Sequence, residues 1–441
     1  MYALKYRLPL HLIVFTEPRY FPNDVERQKM ISSVTNNISG ILHETDPGLI
    51  VENISITSGS ELENFLNQKH KGFGLFVPAS GAVQPWMIKA AESFEGIGIL
   101  AAYEPGLLDQ ETAYRLLEAN AAPAAADVYS VIKRQGKPAA LSLEISEILD
   151  LLQIIQTADR MKKAVILLAG VTEDWVISSC RSFEKIKEKT GMDFIGVTLE
   201  ELYRIYESIT DEDAKEISNK WIENAKEIIE PKKQDILAAS RLAVAIYQLV
   251  RKYNGDGIAI ACFTLLRELG TTSCIALSML NDSRDFIGAC EGDMDSAVTL
   301  FMMKALTDKP SWMANPMLEK NDVLRLSHCT SPLLLEDKPL PYILRNHHES
   351  GIGVSPEALI EEGVPVTITR IGNNLSSLSV STGITLNTPP TPTCRTQLRI
   401  KPDSMSSFID NLLGCHQIVT FGNWERQLTE VGKLLGLKVL K

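Results

Sequence analysis

Little in this chain announces a common enzyme class by motif. None of its seven cysteines forms a C-x-x-C pair, and an odd, unpatterned set suits free thiols in a reducing cytoplasm. Gly72 and Gly74 do not extend to G-x-G-x-x-G, and neither G-x-x-x-x-G-K-[ST] nor G-x-S-x-G occurs. Those absences leave a dinucleotide site, a phosphate-cradling loop and a serine nucleophile elbow without support. Basic residues are the minority, 44 Lys and Arg against 55 Asp and Glu, for a formal net charge of -11. With no basic patch or arginine-rich arm to offset that charge, binding to a phosphate backbone is not expected. Long apolar runs are missing too. Leu8 to Phe15, broken by Pro9 and His11, is too short to span a bilayer, and no cleavage site follows it. A cytoplasmic protein bound to neither nucleic acid nor membrane is expected, with no internal repeat and no low-complexity tail.

What is present is ordinary globular material. The 441 residues are 45% hydrophobic and 22% charged, enough for several cores and roughly two to four domains. Leu8 to Phe15 reads as a strand buried on both faces, with His11 a packed core histidine. Asn23-Asp24 caps a helical pattern through Ile31, Val34 and Ile38. Strand-like stretches follow at Leu49 to Ile56, Phe73 to Val77 and Ile97 to Tyr103, with a helix from about Asp109 to Ala119. A second alternating unit begins near residue 140, with a helix from Leu143 to Met161 and strands at Ala164 to Gly170, Met192 to Val197 and Gly257 to Cys262. Between the last two, a long charged helical region is broken at Pro231. Strands alternating with helices predict parallel, doubly wound sheets. From about residue 320 the pattern changes to period two, at Val364 to Ile371, Leu378 to Leu386 and Thr393 to Ile400. Gly, Asn, Pro and Thr clusters separate these runs, which predicts an antiparallel barrel or sandwich.

One stretch stands out chemically. Phe286 to Ala289 is a short strand, Cys290-Glu291-Gly292-Asp293-Met294-Asp295 an acidic turn, and Ala297, Val298, Leu300, Phe301, Ala305 and Leu306 recur at helical spacing. Ligands bind at the carboxyl ends of strands in open α/β sheets. Acids so crowded call for a compensating positive charge, such as a divalent metal; the alternative is an acidic helix start, with Asp293 or Asp295 as cap. Glu268, just past the strand Gly257 to Cys262, and His416, leading into a strand, supply two further candidate ligands. Glu268, Asp293 and His416 together make a mixed O/N set that suits Mn²⁺, and less specifically Mg²⁺, Co²⁺ or Zn²⁺. Three protein ligands leave positions open for substrate oxygens, and the two carboxylates can move a proton between adjacent carbons.

R-E-L-G-T-T-S-C-I-A-L-S-M-L-N-D from Arg267, then A-C-E-G-D-M-D-S-A-V-T, resembles the L-fucose isomerase / L-arabinose isomerase superfamily, closest to its broader fucose isomerase-like branch. S-H-C-T-S-P near 330, C-R-T-Q-L-R-I near 395 and G-C-H-Q-I-V-T-F-G near 416 are similar to the same family in the same order. The likeness spans most of the second half; the first half fits more loosely, as a Rossmann-like opening domain. It implies two Rossmann-like doubly wound α/β domains, 1–140 and 141–320, and a mostly antiparallel β-barrel domain, 321–441. It also implies a Mn²⁺-dependent aldose–ketose isomerase acting on a monosaccharide through an ene-diol, with a hydride shift as the competing route. Glu268 and Asp293 then correspond to the metal-binding carboxylates that serve as acid and base, and His416 to the metal-binding histidine. The family's members are commonly oligomers, here a homo-trimer or hexamer, with each site completed by a neighbour's first domain.

Other residues are placed around that frame. Glu291 orients a ligand or serves the helix dipole. His328 contacts a sugar hydroxyl or is a structural histidine. Arg395 pairs with an anionic substrate or forms a structural ion pair. Trp86 is a sugar-stacking platform or a buried aromatic at a helix start. His347-His348-Glu349 reads as a polar loop rather than a metal cluster. A non-catalytic sugar-binding or regulatory protein, and a metal-dependent epimerase or lyase, stay open beside the isomerase.

Overall fold

The computed structural model describes residues 7–103, 106–335 and 338–441. The chain divides into two compact units, Met1–Gln156 and Thr157–Lys441, and the division falls inside the helix Ile145–Lys163. Among the described residues no helix is long and apolar enough to cross a membrane.

The first unit is built on five parallel strands: β1 (Leu10–Phe15), β2 (Val51–Ile56), β3 (Phe73–Pro78), β4 (Gly96–Leu100) and β5 (Ala139–Ser142). Their order is β2-β1-β3-β4-β5, the doubly wound order that reverses beside β1 and not the 3-2-1-4-5-6 order of dinucleotide-binding sheets. The unbroken apolar run of β1 has a direct cause. Leu10, Leu12 and Val14 enter one core, and Ile13 and Phe15 another, because a central parallel strand is covered on both faces. Asn23 caps the helix Asp24–Thr45 by accepting from the Glu26 amide at 2.9 Å.

The second unit opens with β6 (Val165–Ala169), β7 (Asp193–Val197), the two-residue β8 (Glu227–Ile228), β9 (Gly257–Ile260) and β10 (Ile287–Ala289). Four of them form a parallel sheet in the order β10-β9-β6-β7. The charged helical region of the sequence resolves into Leu199–Ser208, Asp211–Asn224 and Lys233–Lys252. β8 interrupts it just before Pro231 and pairs with β15 (Tyr342–Arg345), itself paired with β16 (Ser355–Ala358), while the short β13 (Leu334–Leu335) and β14 (Lys338–Pro339) pair with each other.

The antiparallel part uses β11 (Ser311–Glu319), β12 (Val323–His328), β17 (Pro365–Gly372), β18 (Ser377–Leu386), β19 (Thr396–Pro402) and β20 (Gln417–Phe421). They pair in the order β17-β20-β11-β12-β19-β18, and a further β17–β18 pairing brings the series back to its start. Inward positions of these strands, among them Trp312, Leu324, Leu326, Val366, Ile368, Leu398 and Val419, make one apolar core. β11 carries no clean alternation, because its first four residues are all buried and its second half is not.

Trp312 is a large, fully buried side chain in that core, and its indole Nε1 has no hydrogen-bond partner among the described residues. Trp312→Ala is therefore expected to cost about 3–5 kcal/mol. Trp312→Phe is expected to cost much less, because the N–H it removes is unpaired. Urea midpoints of the two variants check this; equal losses would contradict it.

Candidate metal centre

In the second parallel sheet the winding reverses between β6 and β9, which opens a crevice at the carboxyl ends of the strands. β10 ends there in Cys290, Glu291 and Gly292, both of the last two left-handed, with φ of 58° and 61°. Gly292 has no substitute at this point: a Cβ would lie 2.7 Å from the Val171 carbonyl oxygen and 2.8 Å from Thr172 Cα. Glu291 takes the same backbone region with a side chain, at a cost of about 1–3 kcal/mol. Such a conformation persists where surrounding contacts demand it, and several hold this carboxylate. Its Oε2 accepts from Trp175 Nε1 at 2.6 Å. Its Oε1 faces His416 Nε2 at 3.4 Å and His328 Nε2 at 3.7 Å.

The two histidines come from the antiparallel strands. His328 ends β12, and His416 directly precedes β20. One ligand atom from each of Glu291, His328 and His416 lies within 4.8 Å of the other two, and all three residues are buried. Each imidazole is also held from behind. His416 Nδ1 bonds to Asp293 Oδ2 at 2.8 Å, and His328 Nδ1 to Thr330 Oγ1 at 3.1 Å. Outer partners of this kind fix ring orientation and leave Nε2 facing inward, as metal-binding histidines require.

Asp293 serves two further groups. It caps the helix Met294–Thr307 by accepting from the Ser296 amide at 3.0 Å. It also meets the fully buried Arg370, whose Nη1 donates to Asp293 Oδ2 at 3.0 Å, to Ser296 Oγ at 2.9 Å and to the His416 carbonyl at 2.8 Å. Burial opposes the charge on Asp293, but Arg370 and His416 outweigh it and hold the carboxyl well below its usual range. For Glu291 burial is likewise outweighed, by His328 and His416. Burial would lower His416, yet Asp293, Cys415 and Glu291 raise it well above an ordinary histidine. A cation binding here has to displace that proton, so affinity falls as the pH is lowered. Asp295, two residues on, is pushed up to about 7 by burial, against the pull of Arg370.

A small cavity adjoins Glu291 and His328. It holds about 20 Å³ and is lined by Glu291, His328, Asn315, His347, Glu349 and five of the seven cysteines, Cys262, Cys274, Cys290, Cys329 and Cys394. That is room for one water or one ion.

The residues marked out in sequence divide as follows. His416 lies in the cluster, and Asp293 stands behind it. Glu291 and His328, read as accessory groups, supply the other two ligand atoms. Glu268 is not brought to them. The helix Cys262–Leu269 begins directly after β9, so residue 268 lies well along it, on an exposed face, hydrogen-bonded to the Tyr203 hydroxyl. Arg395 donates to the Asn346 carbonyl at 2.9 Å and stands 3.9 Å from Glu230. Trp86 packs half-buried against a core of the first unit. His347 and Glu349, read as a polar loop, do reach the cavity. Two residues went unmarked. Trp175 has no legible signal, being exposed in a loop. Arg370 does: it shares the inward face of β17 with Val366 and Ile368, where a charge is out of place. No protein-family model and no curated protein matches the chain.

Arg370→Met leaves Asp293 charged and buried beside a lost partner, and is expected to cost about 3–5 kcal/mol, read from the urea midpoint. Asp295 has the opposite sign. Its folded pKa is raised, so it lowers stability progressively as pH climbs from about 4, its unfolded value, to about 7. Asp295→Asn is expected to be more stable than the parent at pH 8, by on the order of a few kcal/mol, with the gain vanishing near pH 4. A pH-independent difference would contradict this assignment.

Proposed function

We propose that this chain is a divalent-metal-dependent aldose–ketose isomerase acting on a monosaccharide, as its likeness to the fucose isomerase-like branch implies. The observation that supports it is the convergence of Glu291 Oε1 with Nε2 of His328 and His416, each ring tied back by an outer partner. In this reading the two parallel sheets belong to Rossmann-like domains, and Glu291, His328 and His416 hold Mn²⁺ or a related cation. When bound, the cation polarises the carbonyl and adjacent hydroxyl oxygens of a sugar.

The chain's own residues do the rest. Trp175 occupies Glu291 Oε2, so only Oε1 is turned inward. Asp293 and Arg370 keep His416 in register. Glu349, the other carboxylate on the cavity and an exposed one, takes the role that the family likeness implies for Glu268. It removes the proton from the hydroxyl-bearing carbon beside the carbonyl and delivers it to the carbonyl carbon, while the hydroxyl proton passes to the carbonyl oxygen through the ene-diol. Small-molecule pockets run to about 300 Å³ or more, so substrate entry requires the side chains at the cavity mouth to part. The same likeness implies a trimer or hexamer with sites completed by a neighbouring copy, which sedimentation measures.

The test is the metal content of the purified protein and ketose formation from pentoses, deoxyhexoses and sulfonated hexoses. Glu291→Gln is expected to lose the cation and turnover with its circular dichroism unchanged. Glu349→Gln is expected to keep the cation and lose about 10²–10⁴-fold in kcat. Metal-loaded protein that isomerises none of these sugars would remove the isomerase and leave a sugar-binding protein. Altered stereochemistry at one carbon, or cleavage, seen by NMR would replace it with an epimerase or lyase.

A further inference from the structure

A second meeting of imidazoles and a carboxylate lies in the first unit and has no part in the centre above. His11 on β1 stands in register with Glu52 on β2. His70 is in the turn between the helix Gly59–Asn67 and β3. One ligand atom from each lies within 4.8 Å of the other two.

The hydrogen bonds around them leave an inward nitrogen on each ring. His11 is 3% exposed, and its Nε2 donates to the Lys71 carbonyl at 3.0 Å. A carbonyl only accepts, so the proton is on Nε2. His11 Nδ1 then has Glu52 Oε2 3.1 Å away, out of line for a hydrogen bond, and makes none among the described residues. His70 stacks on the Phe65 ring at 4.1 Å and 12°, and a backbone hydrogen bond to Phe65 orients it. Its Nε2 is also buried without a hydrogen-bond partner. Buried ring nitrogens are seldom left unpaired, and two of them beside one carboxylate call for a shared partner.

We propose that His11 Nδ1, His70 Nε2 and Glu52 bind a divalent cation of the borderline class, Zn²⁺ foremost. Two imidazoles and a carboxylate are a zinc ligand set, and the exposed Glu52 leaves the fourth position to water. The backbone carbonyls of Lys71 and Phe65 are the outer partners that orient the rings. His11 and Glu52 are each the second residue of their strand. The site is therefore at the amino ends of β1 and β2, away from the carboxyl ends where substrates bind in such sheets. Its role is a clip that ties the edge strand β2 and the turn before β3 to β1.

The test uses the full chain, stripped with a chelator and titrated with Zn²⁺ by calorimetry, beside a Glu52→Gln variant. Glu52 is exposed on an edge strand, so the variant is expected to fold as the parent does. The parent is expected to bind one equivalent more than Glu52→Gln, or to bind it more than about 100-fold tighter, beyond the range for a merely supporting contact. The difference is expected to persist in a Glu291→Gln background, which silences the other centre. There the Co²⁺ form is expected to show tetrahedral visible absorption that His70→Ala removes. If the other centre binds nothing, the count falls from one to none and not from two to one, so the two proposals fail separately. Superimposable Zn²⁺ titrations of the parent and Glu52→Gln would overturn the site.

Discussion

The second unit depends on a fully buried ion pair. Arg370 and Asp293 are both fully excluded from water and meet at 3.0 Å. Taking two charges out of solvent is costly, and their attraction repays it only when the remaining donors and acceptors are also satisfied. Here most are. Arg370 Nη1 reaches Asp293, Ser296 and the carbonyl of His416, while Asp293 caps a helix and holds His416 Nδ1. One pair thereby joins β17, the helix after β10 and the start of β20. It sets the position of an imidazole that neither the parallel sheet nor the antiparallel strands could place alone.

Strain and polarity are concentrated around that pair. Glu291 accepts a left-handed backbone beside Gly292, and Trp175 with two histidines hold its carboxylate. Asp295 keeps one oxygen without a hydrogen-bond partner and sits near its own titration point at about 7. Five thiols wall the adjoining cavity. Four of them are buried and Cys262 is half-buried, and Glu291, His328, His347 and Glu349 share the lining with them.

Much of this was legible before any coordinates. The continuous run at Leu10–Phe15 has to be a central strand, the Asn23 cap has to start a helix, and the alternation from Val364 onward has to be antiparallel. The acidic turn was visible as the chemical focus, and His416 as its partner. Distance along the chain hides the rest. Glu268 follows closely on a strand end in the sequence, but the helix that starts at Cys262 carries it onto an exposed face. Glu291 and His328 look like accessories in the sequence because nothing in their spacing says that a strand from one sheet and a turn from another will meet.

The local layers follow from the amino-acid order alone, through periods of two and 3.6 and through caps and turns whose physics is confined to neighbouring residues. So does the crowding of charge after β10. Which acids face inward and which stand behind is settled by long-range packing. It settles too which imidazoles meet them, and that His11, a core histidine by its surroundings, has Glu52 and His70 for neighbours. Those outcomes rest on pairings between strands far apart in the chain. A register difference of one residue there turns a side chain from one face to the other, and no local pattern carries that information.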